Sequence, residues 1–113
     1  MQNMAYKVVI TAFAKHQLDM YMAYTINEFK NTQAARAIRD DAKLTKEKLT
    51  IAAGSLPLCE NEILSKNGYR RILFPKHDFF MVYRLDGDKA IVEAMYHELQ
   101  DFEHLFASSF NLE

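Results

Sequence analysis

A chain of 113 residues that is 50% hydrophobic and 26% charged has the composition of one globular domain, residues 1–113, which excludes a disordered tract, and 3 Gly and 2 Pro exclude collagen-like or linker sequence. A single cysteine, Cys59, excludes a disulfide scaffold and makes a reducing cytoplasm the expected compartment. The net charge of −1 hides a split, with eight Lys/Arg against five Asp/Glu in residues 1–58 and six against ten in residues 59–113.

Residues 5–11 are short and β-branched and read as a strand. From Ala12 the period changes, and Phe13, Leu18, Tyr21, Met22, Tyr24, Ile26 and Phe29 recur at helical spacing. Asn31 and Thr32 break that helix, with Thr32 as the expected N-cap of a second. In the second helix Ala35, Ile38, Ala42, Leu49, Ala52 and Leu56 share one stripe, and Lys43, Lys46, Glu47 and Lys48 lie mostly opposite. Gly54 is expected to cap it in a left-handed conformation and Pro57 to stop it. Two helices with almost no loop between them make an antiparallel hairpin.

Residues 59–67 have no clear period and read as a connecting loop. Three strands follow, at residues 68–74, 79–85 and 89–96, joined by turns at residues 75–78 and at Asp86-Gly87-Asp88. Residues 99–106 read as a short helix with Leu99, Phe102, Leu105 and Phe106 on the core side, and residues 111–113 as a fraying end. No apolar run approaches the ~20 residues of a membrane span, and no leader pattern opens the chain, so the mature chain is expected to be the whole chain. The order β-α-α-β-β-β-α makes an α+β fold, with a helical hairpin on one face of a mainly antiparallel four-stranded sheet.

That order, with Gly68-Tyr69-Arg70-Arg71, Met81-Val82-Tyr83-Arg84 and Tyr96-His97-Glu98-Leu99-Gln100-Asp101, resembles the RelE/ParE superfamily of type II toxin–antitoxin toxins over residues 6–106. The resemblance lies closer to the ParE, or plasmid-stabilisation, branch. It implies a growth-inhibiting toxin that binds an essential target, DNA gyrase in the favoured reading, and is neutralised by a cognate antitoxin. Operator DNA would be met only through the antitoxin. No cofactor, metal or membrane is implied. The alternatives are a RelE-like, ribosome-dependent mRNA endoribonuclease (an mRNA interferase) and a non-toxic interaction module on the same fold.

The nuclease branch places arginines on the middle meander strand and just after the last strand; the matching positions here are Phe80 and Glu98 or Leu99, none of them basic. Arg70 alone matches a basic position of that branch. The ParE-like pattern after the last strand is His, then Arg, then Asp, met here by His97 and Asp101 with Leu99 at the Arg position. Cleavage by 2′-hydroxyl attack needs a base, an acid and cations around a phosphorane. Arg70, Arg71, His97 and Asp101 are the catalytic candidates for it. From Asp86 onward only Lys89 opposes seven acids, a poor surface for a phosphate backbone. Hence the chain leans away from being an enzyme.

Each candidate also has an ordinary role. Arg70 and Arg71 point to opposite faces of a strand, so at most one reaches a cleft. His97 suits a backbone bond at a strand end, and Tyr83 and Tyr96 suit the core. His97, Asp101 and His104 have metal-like spacing only if they share one helix, which the strand closing at His97 argues against. Cys59 reads as an ordinary thiol. Helix one is apolar over more than one face, and Tyr21, Tyr24 and Phe29 are the expected antitoxin contacts; a homodimer is the other arrangement that fits.

Overall fold

A computed structural model describes residues 5–112. Its elements are β1 (Lys7–Ile10), α1 (Ala12–Phe29), α2 (Thr32–Ala52), α3 (Glu62–Lys66), β2 (Arg70–Leu73), β3 (Phe79–Asp86), β4 (Lys89–His97) and α4 (Phe102–Ser109). The four strands form one sheet in the order β1-β4-β3-β2. The meander β2-β3-β4 is antiparallel, and β1 joins β4 in parallel, Lys7 opposite Lys89 and Ile10 opposite Val92. The α1–α2 hairpin leads from β1 to the meander and puts both long helices on one side. The order and the α+β class match the sequence reading.

Four local expectations are corrected. Asn31, not Thr32, caps α2, its side-chain oxygen accepting from the Ala34 N–H at 2.9 Å. Both are capping residue types, and spacing alone does not choose between neighbours. Gly54 is not a left-handed cap: the helix closes at Ala53 in right-handed geometry, and the positive-φ glycines are Gly68 and Gly87. Instead, a β-carbon at Gly54 would run into the Tyr6 phenol. The presumed loop of residues 59–67 contains α3, capped by Asn61, which accepts from the Leu64 N–H at 3.1 Å. At the other end, Leu112 packs on the core and donates its N–H to Ala107, so the chain does not fray there; Glu113 lies outside the described residues.

Helices also cover both faces of the sheet rather than one. Toward the hairpin, Leu49, Ile72, Phe74, Met81, Tyr83, Val92 and Met95 form one core. Toward α3 and α4, Leu64, Tyr69, Phe80, Val82, Ala94, Tyr96 and Phe106 form another. Successive strand residues point to opposite faces, so β3 is apolar at Phe80, Met81, Val82 and Tyr83 because both of its faces are buried. The short α4 supplies Phe106, which stacks edge-on to Tyr69 with ring centroids 4.7 Å apart. Leu99 is not part of that core; it lies in the turn before α4 and is 91% exposed.

Candidate functional site

The distal half of α1 is only lightly packed. Ala14 is the one α1 residue fully buried, and Thr11 caps the helix by accepting from the Ala14 N–H. Met20 is exposed, Tyr24 is 59% exposed and Phe29 is 67% exposed. Lys30 closes the helix in left-handed geometry at φ 52°. With no charged residue between Met20 and Glu28, apolar side chains spread beyond the stripe that faces the sheet.

These side chains wall an apolar groove of ≈ 790 Å³. Met20, Tyr21, Tyr24 and Phe29 form the α1 wall, Ile38 and Phe79 the floor, and His97, Leu99 and Gln100 the far lip. Tyr24 and Phe29 meet edge-to-face at 6.0 Å, and Phe79 touches both Tyr21 at 4.9 Å and His97 at 5.0 Å. Thus the three residues expected from sequence at an antitoxin surface come together, and with them His97.

A small polar hub holds the lip. The Tyr21 hydroxyl lies 2.8 Å from the Met95 carbonyl and 3.0 Å from Gln100 Oε1, and shares its single proton between them. Gln100 Oε1 also accepts the His97 N–H at 2.8 Å, which fixes the amide so that oxygen faces inward. His97 Nδ1 accepts from the Leu99 N–H at 3.1 Å, so the imidazole carries its proton on Nε2. Burial raises the Tyr21 phenol from 10.0 to about 12, with Tyr96 adding to the rise and Gln100 opposing it. Here His97 does the backbone-bonding work of a strand end.

The four catalytic candidates do not converge. The Arg70 guanidinium donates to the Leu56 carbonyl on the hairpin face of β2. Arg71 points to the other face, stacked over Phe80 at 4.8 Å and Phe102 at 5.1 Å. In register Arg71 aligns with Val82 and Val82 with Ala94, three residues short of His97. At ~3.3 Å per residue and ~4.8 Å per strand, their α-carbons are about 14 Å apart. Asp101 heads α4 without a side-chain capping bond. Phe80, at the position of a nuclease arginine, is 1% exposed beneath α4. His97, Asp101 and His104 likewise form no metal-ligating cluster among the described residues.

Beside Arg71, a hollow of ≈ 490 Å³ includes Cys59 and Glu103. Burial pushes the Cys59 thiol up, Arg71 pulls it back and Glu103 adds to the rise, so the environment does not favour thiolate. One polar pair escaped sequence reasoning. Asp41, buried on α2, accepts from the Lys76 N–H at 2.9 Å and lies 2.8 Å from His77 Nδ1, pinning the β2–β3 turn to α2. An acid inside the buried stripe beside Ile38, Ala42 and Thr45 was the available signal; its partner, 36 positions on, carried none.

No family model matches the sequence, and no curated protein matches it significantly. Among solved structures, the chain is similar to one of the "Chromosomal ParDE TA system from P. aeruginosa", with a TM-score of 0.68 over 83% of this chain and 97% of that one. The fold is of the ParE/RelE type. At 16% identity the likeness is one of fold.

Proposed function

We propose that the chain is the toxin of a type II toxin–antitoxin module, ParE-like in mechanism, which stops growth by binding DNA gyrase and is neutralised by a cognate antitoxin seated on the Tyr21–Tyr24–Phe29 groove. The observation that carries this reading is the combination of a ParE/RelE-type fold with a large apolar groove open to solvent on α1. Exposed apolar side chains gathered around one groove support a partner site there. Phe79 gives it a rigid aromatic floor, and exposed Leu99 a lip.

Gyrase is favoured over the ribosome because the chemistry of RNA cleavage lacks its constellation. Arg70 and Arg71 are engaged on opposite faces of an edge strand, and His97 lies across the sheet from both. An oxyanion-stabilising cation earns its effect only when preorganised at the reacting phosphate. Residues 86–103 also carry six Asp/Glu against the one basic residue Lys89, a charge balance that disfavours a phosphate backbone.

The experiment adds purified chain to purified gyrase, relaxed plasmid and ATP, and in parallel to ribosomes translating a defined mRNA. Blocked supercoiling with intact mRNA is expected. Cleavage within the ribosomal A site that disappears in Arg70→Ala or His97→Ala would move the assignment to the ribonuclease reading.

A further inference from the structure

Asp41 stands in the buried stripe of α2, between Ile38 and Ala42. Its side chain is fully buried, and burying a carboxylate is unfavourable unless it is paired. Oδ2 makes both of its contacts, accepting from the Lys76 N–H at 2.9 Å and lying 2.8 Å from His77 Nδ1. Oδ1 is buried with no hydrogen-bond partner among the described residues. An apolar residue would hold α2 in place without that cost. What Asp41 adds is a directional hold on residues 75–78, and among the described residues no other side chain bonds that turn.

The far end of the same turn enters the groove. The Asp78 carbonyl accepts the Glu98 N–H at 2.8 Å, which ties the turn to the segment that forms the lip. Phe79, the next residue, is the aromatic floor and stands opposite His97 in the strand register. Ile38, also in the floor, lies one helical turn before Asp41 on α2. We propose that Asp41 is a positioning residue of the groove: by clamping the turn to α2 it sets Phe79 and the 97–100 lip in place against Ile38. Lys76 and His77 do not line the groove, so the clamp acts on it from outside. The coupling runs both ways, and an occupant that fits the clamped groove holds the turn more tightly in return. The inference rests on the reading that a partner occupies the groove, but its first readout needs no partner.

The test is amide hydrogen exchange, read by NMR on the whole chain. In Asp41→Ala the Lys76 and Glu98 amides are expected to exchange about tenfold faster, while those of β1, two strands from β3, keep their rates. Asp41→Asn, whose amide oxygen still accepts from Lys76, is expected to bring Glu98 back to within about twofold of the parent. Acceleration confined to residues 75–78, or spread equally over β1, overturns the proposal. So does an Asn variant no better than Ala. If Asp41→Ala does not fold, His77→Ala gives the same reading, since it removes a partly exposed ring and leaves the carboxylate. Glu98 should then exchange about threefold faster, and an unchanged rate overturns the proposal. A second arm adds the product of the reading frame beside the gene. Its binding should weaken about tenfold in Asp41→Ala, recover in Asp41→Asn, and slow Lys76 exchange in the parent. Equal affinity for the parent and Asp41→Ala contradicts the positioning role. No complex with the parent would instead remove the antitoxin reading of the groove, and the exchange arm would still decide the clamp.

Discussion

Tyr21 joins α1, the end of β4 and the turn before α4 through one phenol. Phenylalanine there would keep the ring against Phe79 and leave the Met95 carbonyl and Gln100 without their shared donor. Tyr21→Phe is expected to cost about 1 kcal/mol in urea unfolding, with the larger change in hydrogen exchange at His97, whose N–H depends on Gln100. Burial also raises Tyr21, Tyr83 and Tyr96 from 10.0 to about 12. A folded value above the unfolded one means stability that is complete below pH 10 and lost as pH rises toward 12. Urea midpoints should therefore hold steady to the ordinary tyrosine range and then fall. Ionisation of all six tyrosines in one ordinary step before unfolding would contradict this burial. Cys59, raised by the same cause, should react slowly with iodoacetamide at neutral pH until the chain is unfolded.

At the scale of elements, local signals were legible and distant contacts were not. The β3 and β4 strands, the Asp86-Gly87-Asp88 turn and the helical hairpin follow from period and turn chemistry, which act over a few residues. Gly54 was misread because its neighbour is Tyr6, from the start of the chain. The sequence reading put helices on one face of the sheet; the unbroken apolar run in β3 was the available sign of two buried faces, whereas the amphipathic signal of α4 could not say which face it covers. Leu99 read as core from spacing that assumed the helix began there; α4 starts at Phe102 and leaves Leu99 in water. In the site, Tyr24 and Phe29 were legible as excess apolar surface, while Gln100 was not, because its role is set by two partners from other elements, Tyr21 of α1 and His97 of β4. A cap prediction separates two neighbouring positions: Asn31→Ala should cost about 1 kcal/mol and Thr32→Ala almost nothing, read from denaturant midpoints. Equal effects would put the helix start elsewhere.

For the whole molecule, the near-neutral charge resolves into a basic helical half and an acidic C-terminal end. The sheet is a rigid partition between two cores, and the open apolar groove sits at one end of the hairpin side. Because Tyr24 and Phe29 are exposed and touch mainly each other, replacing them disturbs little else. Tyr24→Glu with Phe29→Glu should leave thermal unfolding within about 1 kcal/mol of the parent. The same variant should still arrest growth but no longer be rescued by the antitoxin. Rescue that persists would move the antitoxin off this groove.

The central claim is that this chain is a growth-arresting toxin held in check by a partner, and induction in a host cell tests it most directly. Viable counts are followed after inducing the chain alone and then together with the short reading frame beside its gene. Growth should stop in the first case and recover in the second. Unimpaired growth with the chain expressed, folded and alone would contradict the toxin reading and leave a binding module on a ParE/RelE-type fold.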